Sequence, residues 1–201
     1  MSDTVNKSKQ FFIFIGRSGC GKGTQAELLK EYLNSNGYDD VLHVTTGGTF
    51  REMMQRPEYI PTLSREIDSR GGLMPEFLAV WNWSNIFVDK LKAETSVILD
   101  GAPRRVQEAN ILSAAINYLE YLSPIVVHID VSETWAKDRL LARGRADDTE
   151  KAIQSRMDWF ALDVQPVLKY YKTSADFKYI EVNGEYSIEN IHRTLIEKLE
   201  N

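Results

Sequence analysis

Ten residues, Gly16 to Gln25 (GRSGCGKGTQ), follow a short apolar run, Phe11 to Ile15, and open a segment of helical pattern. Glycines at 16, 19 and 21 allow the backbone to turn with successive N–H groups pointing inward, and the first N–H groups of the helix behind them have no intrahelical partner. A strand, such a loop and a helix N-terminus in that order make a cradle for the phosphates of a nucleotide. Lys22 is placed to reach across the β- and γ-phosphates as a point charge. The usual pattern puts a hydroxyl directly after that lysine, whereas here Gly23 intervenes and the hydroxyl is delayed to Thr24. Contacts to a triphosphate are therefore assigned to Gly19, Cys20, Gly21, Lys22, Gly23 and Thr24.

A second chemical segment is LDGAPRR, Leu99 to Arg105, where a buried apolar run ends in Asp100 and turns through Gly101 and Pro103 to Arg104. A carboxylate at a strand's C-terminal end suits a water-coordinated Mg²⁺ that bridges donor phosphates, and the Arg104 guanidinium suits a bidentate grip on a second phosphate. A third is RLLARGRADD, Arg139 to Asp148, continuing to Arg156. Arg139 and Arg143 are four apart and share a helix face, and several arginines converging on one cleft are costly unless phosphate charge neutralises them. A fourth, TTGGTFRE, Thr45 to Glu52, is a hydroxyl-rich turn leading to a helix that presents Arg51.

Together these segments resemble the adenylate kinase family of nucleoside monophosphate kinases, from Phe11 to the last helix and with every motif in the family's order. GKGTQ is the family's ending for the phosphate loop. Thr46 and Arg51 match its STGD and LLR elements, with Gly48 in place of the Asp. The resemblance implies that Thr46 faces the acceptor base and Arg51 grips the monophosphate. RGGLMPEF, Arg70 to Phe77, is similar to a family turn whose backbone, here at Gly72 and Met74, contacts the acceptor base and ribose. LDGAPRR matches the family's DGFPR with Ala102 for Phe, bringing Gly101 and Arg104 to the acceptor. By the same resemblance Arg139 stacks on the donor adenine, Arg143, Arg145 and Arg156 surround the transferring phosphoryl group, and Asp147 and Asp148 anchor the hinge by pairing with them. VNGEYSI, Val182 to Ile188, looks like the family turn that touches the donor adenine, which adds Tyr186 to the donor side.

Two departures stand out. Family members carry a long lid or a loop of several residues between the two arginine groups, whereas this chain has only Gly144 between Arg143 and Arg145. At Glu108 the adenine-using branch carries Gln and the pyrimidine-using branch carries Asn. A carboxylate accepts from the adenine amino group but does not donate to ring N1, and it pairs naturally with guanine N1–H and its amino group. Gln107 lies next door, and Thr46 is the residue of the adenine-using branch. AMP is the preferred acceptor on this balance, with GMP or another monophosphate as the alternative.

The elements that must hold these residues are readable in outline. Nearly continuous apolar runs at Phe11 to Ile15, Val41 to Val44, Ser96 to Leu99, Ile125 to Ile129 and Lys178 to Val182 predict strands buried on both faces of a parallel sheet. Helices are predicted at Gly23 to Asn34, Phe50 to Gln55, Thr62 to Ser69, Glu76 to Lys92, Val106 to Glu120, Ser132 to Ala142, Thr149 to Tyr171 and Ser187 to Leu199. The pattern is βαβα, and a ligand is expected at the carboxyl ends of the strands. The expected fold is therefore α/β: a P-loop three-layer sandwich with a five-stranded parallel sheet. Residues 1–201 form one kinase domain, with 45–92 as a helical monophosphate-binding insert and 143–148 as a minimal lid.

Composition fits that frame. A chain of 201 residues with 43% hydrophobic and 26% charged residues is an ordinary globular domain. A net charge of −5 argues against nucleic acid or an anionic membrane as partner; the resemblance implies ATP and a nucleoside monophosphate as the partners, and a monomer is expected. The polar start MSDTVNKSKQ reads as neither signal peptide nor membrane span, which predicts a cytoplasmic protein. Cys20 is the single cysteine, so no intramolecular disulfide forms and no Cys/His spacing suits structural zinc. Within the loop Cys20 is either a thiol of lowered pKa or a small residue that fits there, and the second is preferred. His43, His128 and His192 read as structural.

An enzyme that converts ATP and AMP to two ADP with Mg²⁺ is the leading expectation. A regulatory P-loop switch is disfavoured because no [NT]-K-x-D base-reading motif is present and because two arginine groups ask for two phosphates. A small-molecule kinase of the same fold is disfavoured by the motifs at Thr45 to Arg51 and Leu73 to Glu76.

Overall fold

The structure is a computed structural model that describes residues 8–201, so most of the polar N-terminal stretch lies outside the described residues. Five strands, β1 (Phe11–Ile15), β2 (Val41–Thr45), β3 (Ser96–Asp100), β4 (Ile125–Asp130) and β5 (Lys178–Asn183), form one sheet in the order β2-β3-β1-β4-β5. Every neighbouring pair is parallel. Alternation along β1 sends Phe11, Ile13 and Ile15 to one face and Phe12 and Phe14 to the other, and each face has its own apolar core. All five are buried, each contributing roughly 2 kcal/mol of transfer free energy.

The connections are helical: α1 (Lys22–Ser35), α2 (Thr46–Met53), α3 (Tyr59–Asp68), α4 (Glu76–Lys90), α5 (Val106–Tyr118), α6 (Glu133–Arg143), α7 (Glu150–Trp159), α8 (Gln165–Thr173) and α9 (Ile188–Glu200). Trp83 and Phe87 of α4, Leu112 and Ile116 of α5 and Val167 and Tyr171 of α8 cover one face of the sheet. Leu29 and Leu33 of α1, Leu140 of α6 and Ile191 and Leu195 of α9 cover the other. The chain is thus a three-layer α/β fold, with α2 and α3 strung between β2 and α4. Among the described residues no helix is long and apolar enough to cross a membrane.

Two predicted helices change most, and a third, α3, starts three residues earlier than expected, at Tyr59. The helix expected from Phe50 begins at Thr46 and takes in Gly47 and Gly48, although glycine disfavours a helix interior by about 1 kcal/mol. Tertiary anchoring outweighs propensity here, because the buried Thr46 hydroxyl donates to the Asp100 carbonyl at 3.2 Å and fixes the start of α2 on the end of β3. The single helix expected from Thr149 to Tyr171 is divided by a π-helical turn, Phe160–Val164. Pro166 has no N–H for a carbonyl one turn back, and the wider turn directly before it takes up the mismatch.

Candidate functional site

The phosphate loop runs from the end of β1 to α1. Gly16 has no room for a side chain, since a Cβ there would strike the Ile129 carbonyl of β4 and the Cys20 sulfur, and this close fit pins the loop across the strand ends. Helix α1 starts at Lys22 with Gly21 as N-cap and no side-chain cap, which leaves its first N–H groups open to an anion. Lys22 Nζ donates to the carbonyls of Gly16 and Arg17 at 2.8 and 2.9 Å, folded over its own loop. Cys20 is 1% exposed and burial raises its thiol pKa above the ordinary value, the effect of the nearby Lys22 being smaller. Burial thus works against a thiol of lowered pKa, and Cys20 packs beneath the loop as a small apolar residue.

An open cleft of about 840 Å³ spreads from this loop over the carboxyl ends of the strands. It brings together Gly19, Gly21, Lys22, Gly23 and Thr24 of the loop, Arg51 of α2, Gly72 and Met74 before α4, and Asp100, Gly101 and Arg104 after β3. Arg139, Arg143, Arg145, Asp147 and Arg156 close its far side. Seven cationic side chains face the cleft against three carboxylates, in a chain whose net charge is −5. Asp100 lies beside the loop, with Oδ2 3.4 Å from where a Cβ on Gly23 would sit.

The arginines are held in different ways. Asp148, with a side-chain exposure of 0%, receives Arg143 Nε at 2.9 Å, Arg143 at 2.7 Å through its second nitrogen and Arg156 at 2.6 Å. Burial alone pushes the Asp148 carboxyl up, but the hydrogen bonds from Arg143 and Arg156 outweigh it and hold its pKa below the usual carboxylate value. Arg156 also pairs with Asp147 at 2.5 Å. Gly144 ends α6 in a left-handed conformation, and the Arg145 N–H returns to Asp148 Oδ2 at 3.3 Å, so the short turn is tied by one buried acid. Among the described residues Arg145 pairs with no carboxylate of its own, and burial followed by repulsion from Arg143 and Arg51 disfavours its charge. Arg139 lies over the Trp135 ring at 4.7 Å.

Opposite these, a pocket of about 20 Å³ opens off the cleft between Thr46, Met74, Gly101, Arg104 and Glu108. Glu108 is 2% exposed and sits in the first turn of α5. Its Oε2 accepts the Arg104 backbone N–H at 2.9 Å, and its Oε1 is 4.0 Å from Arg105. Burial raises the Glu108 pKa, opposed by that hydrogen bond and by the charges of Arg104 and Arg105. Arg104 donates from Nε to the Gly101 carbonyl at 2.8 Å, while its terminal nitrogens bond to no described residue.

Three residues of the site escaped the sequence reading. Asp68, at the end of α3, lines the cleft, and burial followed by the neighbouring Asp147 raises its pKa. Arg105 bonds the Met74 carbonyl at 2.9 Å and approaches Asp163 at 3.4 Å and Glu76 at 3.8 Å, stitching the small pocket to α4 and the π-turn. Trp159 lines the cleft below Arg104. The only sequence signals were adjacency of Arg105 to Arg104 and the helical spacing of Trp159 from Arg156. Tyr186 is 65% exposed and is not among the residues lining the cleft, nor are His43, His128 or His192. Among the described residues no group of three or more His, Cys, Asp or Glu is arranged to hold a metal ion.

Comparison with known proteins agrees in extent with this architecture. The family model described as adenylate kinase matches residues 14–176. An adenylate kinase of Prochlorococcus marinus (strain MIT 9301) is 33% identical over 177 residues, covering 88% of this chain and 92% of that protein. Adenylate kinase 1 of Nostoc sp. (strain PCC 7120) is 32% identical over 183 residues, 91% of this chain and 95% of the relative. An adenylate kinase of Corynebacterium aurimucosum is 32% identical over 188 residues, 92% and 96% of the two chains.

Proposed function

The chain belongs to the adenylate kinase family and is a phosphotransferase acting on a nucleoside monophosphate, and from that premise we propose that it transfers the γ-phosphoryl group of ATP to AMP, yielding two ADP. The observation that carries this is how the cations are distributed in the cleft: Lys22 stands at the loop, Arg51 and Arg104 on the side of the small pocket, and Arg139, Arg143, Arg145 and Arg156 across from both, a layout that suits phosphates arriving from two ends.

In this reading the donor phosphates lie on the loop and the N-terminus of α1, with Lys22 exchanging its carbonyl partners for phosphate oxygens. Residues 45–92 form the acceptor lobe, where Arg51 and Arg104 hold the AMP phosphate and Thr46 and Glu108 meet the base. Arg143, Arg145 and Arg156, on and beside the minimal lid 143–148, stabilise the charge that spreads over the transferring group. The acceptor phosphate oxygen is already a nucleophile at neutral pH, so transfer is in-line positioning plus charge stabilisation, without a general base. Asp100 beside Gly23, with the exposed Thr24 hydroxyl nearby in α1, suits a hydrated Mg²⁺, which when bound supplies charge neutralisation across the donor phosphates.

Thr46, the residue of the adenine-using branch, favours adenine over guanine, and Glu108 fits that base because its carboxylate keeps lone pairs for the adenine amino group beside the Arg104 N–H on Oε2. A coupled assay of ADP formation from ATP with AMP, GMP, CMP, UMP and dTMP tests this directly. AMP is expected to give the highest kcat/KM. A higher value for GMP overturns the base assignment, and no activity with any monophosphate overturns the function.

A further inference from the structure

Trp159 stands where the acceptor lobe meets the phosphate clamp. It ends α7, three residues beyond Arg156, and so shares that helix face. Its indole Nε1–H donates to the Gly71 carbonyl at 2.9 Å. Its ring lies under the Arg104 guanidinium, 5.2 Å from the centroid. Gly71 closes the turn after α3 with a φ of +66°, and a Cβ there would run into the backbone of Ala152 in the first turn of α7. The turn is therefore seated directly on α7, and the Trp159 hydrogen bond fastens that seat.

Arg104 needs such support more than its neighbours. Arg143 and Arg156 are oriented by the carboxylate of Asp148, whereas among the described residues the Arg104 side chain bonds only to the Gly101 carbonyl, through Nε. Burial disfavours its charged form. An aromatic face attracts a guanidinium without occupying its N–H groups, so the terminal nitrogens stay available to a phosphate. A carboxylate in the same place would compete with that phosphate.

We infer that Trp159 is a positioning residue that couples the seat of the acceptor lobe to the placement of Arg104 for the acceptor phosphate. The inference rests on the assignment of Arg104 to that phosphate. It has two separable parts, an N–H that holds the lobe and a ring face that holds the arginine. Trp159→Phe removes the first and keeps the second, while Trp159→Leu removes both.

Steady-state kinetics with AMP and ATP, together with amide exchange over residues 69–73 of the ligand-free protein, tests each part. Loss of this half-buried hydrogen bond predicts a KM for AMP raised roughly fivefold in Trp159→Phe, with a smaller change in kcat. Loss of the ring face in Trp159→Leu adds a fall in kcat of about tenfold. KM for ATP stays within about twofold in both variants, and exchange at 69–73 quickens about fivefold in both, in proportion to the same lost bond. Wild-type values of kcat and KM for AMP in Trp159→Leu overturn the inference, as do a parallel rise in both KM values or unchanged exchange. A wild-type chain that phosphorylates no monophosphate overturns the function instead, and the exchange experiment still decides whether Trp159 seats the lobe.

Discussion

Replacing Glu108 by Gln changes one atom pair in the base pocket and little else. The amide oxygen still accepts the Arg104 backbone N–H that Glu108 receives at 2.9 Å, so the first turn of α5 keeps its tie. The carboxylate charge, which burial at 2% exposure already penalises, disappears, and the weak approach to Arg105 at 4.0 Å disappears with it. The amide nitrogen gains the capacity to donate to adenine N1, which a carboxylate lacks. One added neutral hydrogen bond in a buried pocket is worth about 1 kcal/mol net, or roughly a fivefold rise in kcat/KM for AMP. Guanine has a donor at N1, so the same amide faces a donor with a donor, and GMP phosphorylation is expected to fall by about tenfold or more. A coupled assay of ADP formation with both monophosphates reads the two numbers. An Glu108→Gln enzyme with unchanged AMP kinetics, or with improved GMP kinetics, refutes the placement of this side chain against the base.

Further expectations concern the phosphate contacts and the buried acid. Lys22→Ala lowers kcat at least about a hundredfold in the same assay, and near-wild-type turnover contradicts the role of the loop. Arg156→Ala loses a comparable factor in rate and also leaves the buried Asp148 carboxylate with Arg143 and the Arg145 N–H alone, so denaturant titration is expected to show a stability loss of about 3 kcal/mol. For pH, the folded Asp148 pKa lies below its unfolded value near 4, so its stabilisation is present above that value and fades as pH falls through the folded pKa. Thermal melts of the wild type and Asp148→Asn should therefore differ most above about pH 5, with the gap beginning to shrink only as the pH falls below about 4 and narrowing further toward the folded pKa; a gap that stays constant as the pH is lowered from about 5 through that region contradicts the pairing.

How much of this was legible in the sequence depended on whether the signal was local. The strands were readable because each is a short run rich in apolar residues, and their observed bounds differ from the predicted ones by at most one residue at the C-terminal end. Strands β1, β3 and β4 are buried on both faces as expected, whereas the edge strands β2 and β5 are only partly buried because each has a single neighbour. The loop Gly16 to Thr24 and the Asp100 to Arg104 turn were readable because each carries its chemistry within a few consecutive residues. The start of α2 was not, because a contact from Thr46 to Asp100 across the sheet decided it. The break at Phe160–Val164 left its trace only in Pro166, inside a pattern that otherwise continues as helix. Trp159 and Arg105 act through partners far away in sequence, Gly71 and Met74, and no periodicity announces such a contact. Tyr186 shows the converse, since a family-like turn placed it near the donor while the fold leaves it at the surface.

The central claim is that one cleft holds two nucleotides end to end between the loop at Lys22 and the pocket at Glu108. Calorimetric titration with a ligand that joins two adenosines through five phosphates, repeated in the presence of saturating ATP or AMP, measures it most directly. Tight one-to-one binding that either nucleotide weakens is the expected result. No binding, or competition with ATP alone, would contradict the two-nucleotide cleft.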